Sequence, residues 1–208
     1  VVDNAMLVRG LQRQAELTGV VKVEFIGAVS KGLEGKELAE LGDMAEAGVV
    51  AFSDDGHYVE NAAFMRRALE YSSMFNKMVI DHAEDITLTK NGHMHEGIVS
   101  YELGVIGRPA VAEDLAVARD ILLSEMTGGH IHIAHVSSKN TVDMVRRAKA
   151  KGLNVTCEVT SQHLSFTDEY LREYNPAFKM APPIRSEDHR QALLEGLKDG
   201  TIDAIITD

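Results

Sequence analysis

Short apolar runs rich in β-branched residues alternate along this chain with stretches of helical period, and that alternation restricts it to a parallel sheet built from strand-helix-strand units. Helices are expected at residues 4–18, 35–47, 61–75, 112–126, 141–150 and 187–197, where apolar side chains recur every three or four positions, as Leu38, Leu41 and Met44 do. Strands are expected at 21–29, 49–55, 78–82, 130–135, 155–159 and 202–208, and the stretch 85–107 reads as a less regular connection. No linker, charge block or shift of composition divides the chain, so residues 1–208 read as a single domain. Six strands with intervening helices fit an open doubly wound sheet or part of a (β/α)8 barrel, whose usual length is roughly 250 residues. No Gly-x-Gly-x-x-Gly or Walker-type loop follows a strand, which weighs against a nucleotide-binding fold.

Charge and composition narrow the partners. A net charge of −11 repels phosphate backbones and anionic lipids, and the absence of Trp leaves little surface for stacking bases. Neither nucleic acid nor membrane is therefore expected, and no apolar stretch reaches the roughly 18 residues of a bilayer span. No signal segment opens the chain, and its one cysteine, Cys157, sits inside a strand-like run as a core residue. A reducing, cytoplasmic location is expected. A start at Val1 and an end on Asp208 are expected of an excerpt from a longer polypeptide. The partner is expected to be a small-molecule substrate, and an anionic one would need a local positive centre such as a metal ion.

In parallel α/β folds ligands bind beyond the C-terminal ends of the strands. Four apolar runs end there on ionisable residues: Asp54-Asp55-Gly56, Asp81-His82, His135 and Asp208. Two imidazoles and two carboxylates at one barrel mouth suit zinc or a similar divalent ion, which brings the pKa of bound water to about 7. Taken singly, a strand-end His is a hydrogen-bonded structural residue and an Asp before Gly is a turn former. Recurrence at four corresponding positions favours the metal. Strand alternation puts Ile131, Ile133 and His135 on one face, leaving His130 and His132 to face the helices as structural residues. It also groups Met78, Ile80 and His82, and Ala204, Ile206 and Asp208, and lets only one of Asp54 and Asp55 point into the mouth.

Other polar residues read as structural. His93 and His95 have the spacing of a ligand pair, but their polar, glycine-containing stretch reads as loop. His57 lines the mouth or sits in an exposed loop. Arg185, after Pro182-Pro183, is expected to make a structural pair in a rigid turn. Arg66-Arg67 and Arg146-Arg147 read as solvated helix faces.

The ordered set of motifs resembles the dihydroorotases of the amidohydrolase superfamily, in the bacterial class with an aspartate where relatives have a carboxylated lysine. Phe52-Ser53-Asp54-Asp55-Gly56 resembles the family's metal loop, and Asp81-His82-Ala83-Glu84-Asp85 its next strand end. Thr127 through Ser137, with Gly129-His130-Ile131-His132-Ile133-Ala134-His135 at its centre, resembles its longest signature, and Pro182-Pro183-Ile184-Arg185 its Pro-Pro-Leu-Arg turn. Gly200 through Asp208 resembles the segment that normally continues into His-Ala-Pro-His. The resemblance implies a metal-dependent (β/α)8 barrel that interconverts N-carbamoyl-L-aspartate and dihydroorotate in pyrimidine biosynthesis with one or two zinc ions. It implies Asp55, His82, His135 and Asp208 as metal ligands. It implies metal-activated hydroxide as the attacking group, with Asp208 as the catalytic residue that shuttles the proton. A homodimer or a complex with an aspartate transcarbamoylase is the assembly it implies.

The chain departs from the family in having no His-x-His-x-Arg on a first strand, and Met180-Ala181 stands where many members have Asn before the two prolines. Most substrate contacts are expected outside these 208 residues, which by themselves are expected to give an incomplete site without turnover. Two other readings stay open: a hydantoinase- or allantoinase-type cyclic amidase, and a non-catalytic dihydroorotase-like scaffold subunit. An aspartate at the end of the Phe52 run favours the dihydroorotase over the first.

Overall fold

A computed structural model describes residues 1–208. Contacts sort the chain into two compact units, residues 1–82 with 122–132, and residues 83–121 with 133–208.

The first unit opens with α1 (Ala5–Thr18), whose N-terminus is capped by the Asn4 side chain accepting the Leu7 N–H at 3.1 Å. β1 (Ile26–Gly27), α2 (Leu41–Glu46), β2 (Ala51–Ser53), α3 (Ala62–Ser73) and β3 (Met78–Asp81) follow. β1 pairs in parallel with β2, Ile26 opposite Ala51, and β2 with β3, Ser53 opposite Ile80. Parallel neighbours need crossover connections, and α2 and α3 supply them. Phe52, Leu41, Met44, Met65 and Leu69 are fully buried between helices and strands. Two elements are shorter than their patterns predict. The run 21–29 keeps only Ile26–Gly27, because β1 ends the strand order and pairs with β2 alone; Val20, Val21 and Val23 are left exposed. The helix predicted over 35–47 starts only at Leu41, because the preceding backbone is already engaged: Lys31 N–H bonds Glu37 O at 3.0 Å and Ala39 N–H bonds Val29 O at 2.9 Å.

The second unit holds α4 (Ile86–Thr89), β4 (Met94–His95), α5 (Ile98–Leu103) and β5 (Gly107–Arg108), the last two strands forming a separate parallel pair with His95 opposite Arg108. The long α6 (Val111–Thr127) and β6 (Ile131–Ile133) are divided between the units. α7 (Lys139–Ala150), β7 (Val155–Thr160), α8 (Ser161–Ser165), α9 (Glu187–Lys198) and β8 (Ala204–Ile206) complete the chain. The strand order is β1-β2-β3-β6 in the first unit and β6-β7-β8 in the second, with Val159 opposite Ile205 in the parallel β7–β8 ladder. All six strands read from the apolar runs are found in this order. His93 is an exposed loop residue as expected, but His95 is not: it is buried in the β4–β5 pair. Two-residue strands are too short to show a period, so the apolar pattern carries no sign of them. No helix is long and apolar enough to cross a membrane.

Candidate metal centre

In the first unit β2 and β3 deliver adjacent side chains to their C-terminal ends. The Ser53 hydroxyl donates to Ile80 O at 3.0 Å across the two strands and accepts the Asp55 N–H at 3.0 Å, which turns the chain just past β2. The two aspartates then part. Asp54 is buried and accepts the N–H groups of Val29 and Ser30 at 2.8 and 3.0 Å, as well as the Ser30 hydroxyl. Asp55, with its side chain 39% exposed, sets Oδ1 3.2 Å from Nδ1 of the nearly buried His82. The strand parity that allowed only one aspartate into the mouth therefore selects Asp55 for the imidazole and gives Asp54 to the backbone. His57 is exposed and, with Tyr58, Glu34 and Asp54, lines a cavity of about 320 Å³.

In the second unit His135 follows β6 and is 3% exposed, with φ at 34° in the left-handed region. Ile133, two residues earlier, is fully buried. The next three amides are all held: Val136 N–H donates to Glu158 O at 2.8 Å, and Ser137 and Ser138 N–H donate to Glu113 Oε1 at 3.0 and 2.9 Å. Asp208 lies two residues past β8, exposed and at φ 60°.

Arg185 makes the structural pair expected of it. It is 3% exposed, donates from Nε to Ser137 Oγ at 2.8 Å, and faces Glu113 at 3.4 Å and His95 Nδ1 at 3.4 Å through its terminal nitrogens. Burial raises the Glu113 carboxyl, but Arg185 and the hydrogen bonds from Ser137 and Ser138 outweigh it and hold the group below its ordinary range. His95 falls to about 4, chiefly by burial and then by the Arg185 charge. His163 also falls to about 4, chiefly by burial; its ring is held between the Thr160 hydroxyl at 2.8 Å and Pro182 O at 3.1 Å. Burial pushes the Cys157 thiol up to about 12, as suits a core residue. Sequence reading missed Glu113, His163 and this buried network. Its members are separated by tens of residues, and no local spacing joins them.

The fold is part of a (β/α)8 barrel of the hydantoinase type, lacking its first strand or strands and its C-terminal part. It matches L-hydantoinase (dihydropyrimidinase) from Arthrobacter aurescens with a TM-score of 0.82 over 100% of this chain and 47% of that one, at 22% identity. The doubly wound alternative is thereby set aside. The chain belongs to the dihydro-orotase-like family, whose profile matches residues 3–141. It is 51% identical over 210 residues to a dihydroorotase of Streptomyces coelicolor, covering 100% of this chain and 49% of that protein. It is likewise 51% identical over 208 residues to a dihydroorotase of Pelotomaculum thermopropionicum, covering 100% and 48%. The chain thus spans about half the length of the curated relatives it matches.

Proposed function

We propose that this chain is part of a dihydroorotase, a cyclic amide hydrolase interconverting N-carbamoyl-L-aspartate and dihydroorotate, and that Asp55, His82 and His135 hold its divalent metal. One observation carries the reading: Asp55 Oδ1 lies 3.2 Å from His82 Nδ1 at the C-terminal ends of two neighbouring parallel strands. The donor set fits the ion, since one carboxylate and two imidazoles are the hard-to-borderline mixture that zinc takes in catalytic sites, with a coordination position left for water or substrate. When bound, such an ion supplies an activated water near neutral pH and polarises the amide carbonyl.

This chain's residues do the rest. Ser53 accepts the Asp55 N–H where the chain turns past its strand, and His82 and His135 are both buried. Asp208 is the proposed proton carrier, passing a proton to the ring nitrogen as it leaves and removing it in the cyclising direction. By the same reading zinc is the ion, as one or two per site, and Asp208 is a further ligand. Both units belong to one barrel domain, the protein is cytoplasmic, and it acts as a homodimer or beside an aspartate transcarbamoylase.

The test is metal analysis of the purified full-length protein together with ring-opening assays on dihydroorotate, hydantoin and allantoin. Zinc with turnover of dihydroorotate is expected, and turnover of hydantoin alone would replace the reading with a hydantoinase. Absence of both metal and turnover would leave a scaffold subunit. The 208 residues alone, with no His-x-His-x-Arg among them, are expected not to turn over, and robust activity would sink that expectation.

A further inference from the structure

Resting on the metal reading above, we propose that Glu113, locked by Arg185, is a positioning residue for His135: it fixes the backbone immediately after the ligand and so sets the aim of the imidazole. His135 carries a β-carbon yet sits at φ 34°, a conformation that persists only where the surroundings over-determine it. What over-determines it lies just downstream. The Glu113 carboxylate takes the amides of Ser137 and Ser138 and the Ser137 hydroxyl, all within three residues of His135. Glu113 is anchored in the first turn of α6, so it offers these amides a fixed acceptor rather than a mobile one.

Arg185 closes the arrangement from the opposite side. Its Nε donates to the same Ser137 oxygen at 2.8 Å, its Nη2 faces Glu113, and its Nη1 reaches Arg108 O at 3.3 Å. Ser137 Oγ therefore donates to one member of the ion pair and accepts from the other, which leaves it a single orientation. A second copy of the same device supports the reading that it is a backbone clamp. Asp54 takes two consecutive amides and a serine hydroxyl at residues 29–30, just after β1. Neither carboxylate faces the proposed metal, and each holds a chain segment that has just left a sheet strand.

The experiment uses the full-length protein and cobalt(II) as the probe, read by competition with a chelator and by the visible absorption of the bound ion. Glu113→Gln removes the charge facing Arg185 and the acceptor of the Ser137 hydroxyl. It is expected to weaken cobalt binding roughly 10- to 100-fold, the range for residues that orient a ligand from outside the coordination shell. It is also expected to shift the absorption bands. Val142→Ala, in the buried core of α7, lowers thermal stability and is expected to leave affinity and spectrum as in the parent. If Glu113→Gln does not fold, Ser137→Ala decides, with the same shift expected from loss of the bridging hydroxyl. Parental affinity and spectrum in folded Glu113→Gln, or in Ser137→Ala where that variant decides, would overturn the assignment. His135→Ala separates the two readings. Cobalt binding unaffected by that change brings down the metal reading and the positioning role with it. Binding lost in His135→Ala but intact in the clamp variants brings down the positioning role alone.

Discussion

Asp54 takes both the backbone N–H and the hydroxyl of Ser30, and this commits it to the backbone while its neighbour Asp55 faces His82. Two identical side chains, adjacent in sequence, are thus divided between holding the backbone and facing an imidazole, and each division has its own measurable signature.

Asp55→Asn or His82→Ala is expected to weaken zinc or cobalt binding by more than the roughly 10- to 100-fold typical of outer-shell changes, with the unfolding midpoint of the metal-free protein unchanged. Asp54→Ala is expected to do the reverse. It orphans the amides of Val29 and Ser30, at about 1–3 kcal/mol for each buried group left unpaired. Chelator competition and urea unfolding of the same three variants check both halves, and parental metal affinity in Asp55→Asn rejects the ligand assignment.

Asp208→Asn keeps the shape of the side chain but cannot carry a proton. Turnover of dihydroorotate by the full-length protein is expected to fall about 10²- to 10⁴-fold, the range for loss of a general acid or base, while Asp55, His82 and His135 still retain metal. Turnover equal to the parent's would remove Asp208 from the chemistry.

Stability should depend on pH through His95 and His163. Both fold in the neutral form with pKa values near 4, while the unfolded chain takes up protons near the ordinary 6.5. Between pH 6.5 and 4 the unfolded state therefore binds more protons, and stability falls as pH drops through that window; it is full above it. Urea unfolding from pH 4 to 7 is expected to show this slope, and His95→Gln with His163→Gln to flatten it. A slope unchanged in the double variant excludes these two as its source.

Gly129 stands where β6 passes α3. A β-carbon there would lie 2.9 Å from Leu69 Cβ and 3.0 Å from Leu69 O, and helix backbone cannot yield as a flexible side chain does. Gly129→Ala is expected to destabilise the protein by about 1–3 kcal/mol, the usual cost of overpacking, as read by thermal unfolding. An unchanged midpoint would mean that α3 shifts freely.

Much of this architecture was legible because burial on both faces of a parallel strand leaves consecutive apolar residues, as at Ala51 and Phe52. Asp55, His82 and His135 were legible for a related reason: each breaks such a run at its C-terminal end. What stayed hidden was non-local. The helix expected over 35–47 is too long because its apolar spacing says nothing of the pairing between Glu37 and Lys31 that occupies the backbone. His95 reads as loop in the sequence because a strand of two residues has no period. Glu113, 24 residues from Ser137, follows the ordinary acidic preference of a helix first turn and carries no mark of its partners.

The β4–α5–β5 segment has a kinetic consequence. Met94 and Gly107 close their ladder over a short stretch of chain, whereas Val79 must find His130 across a far longer one, and loop-closure entropy favours the shorter search. His95 and Arg108, both contacts of Arg185, are then in register before Arg185 has been recruited. Pulse-labelled hydrogen exchange during refolding is expected to protect the amides of His93 and Glu96, bonded to Ile106 O and Arg108 O, ahead of those of Ser137 and Ser138. Simultaneous protection would argue that the small ladder waits for the rest of the unit. The order of assembly would then begin at a piece of chain that carries none of the proposed metal ligands.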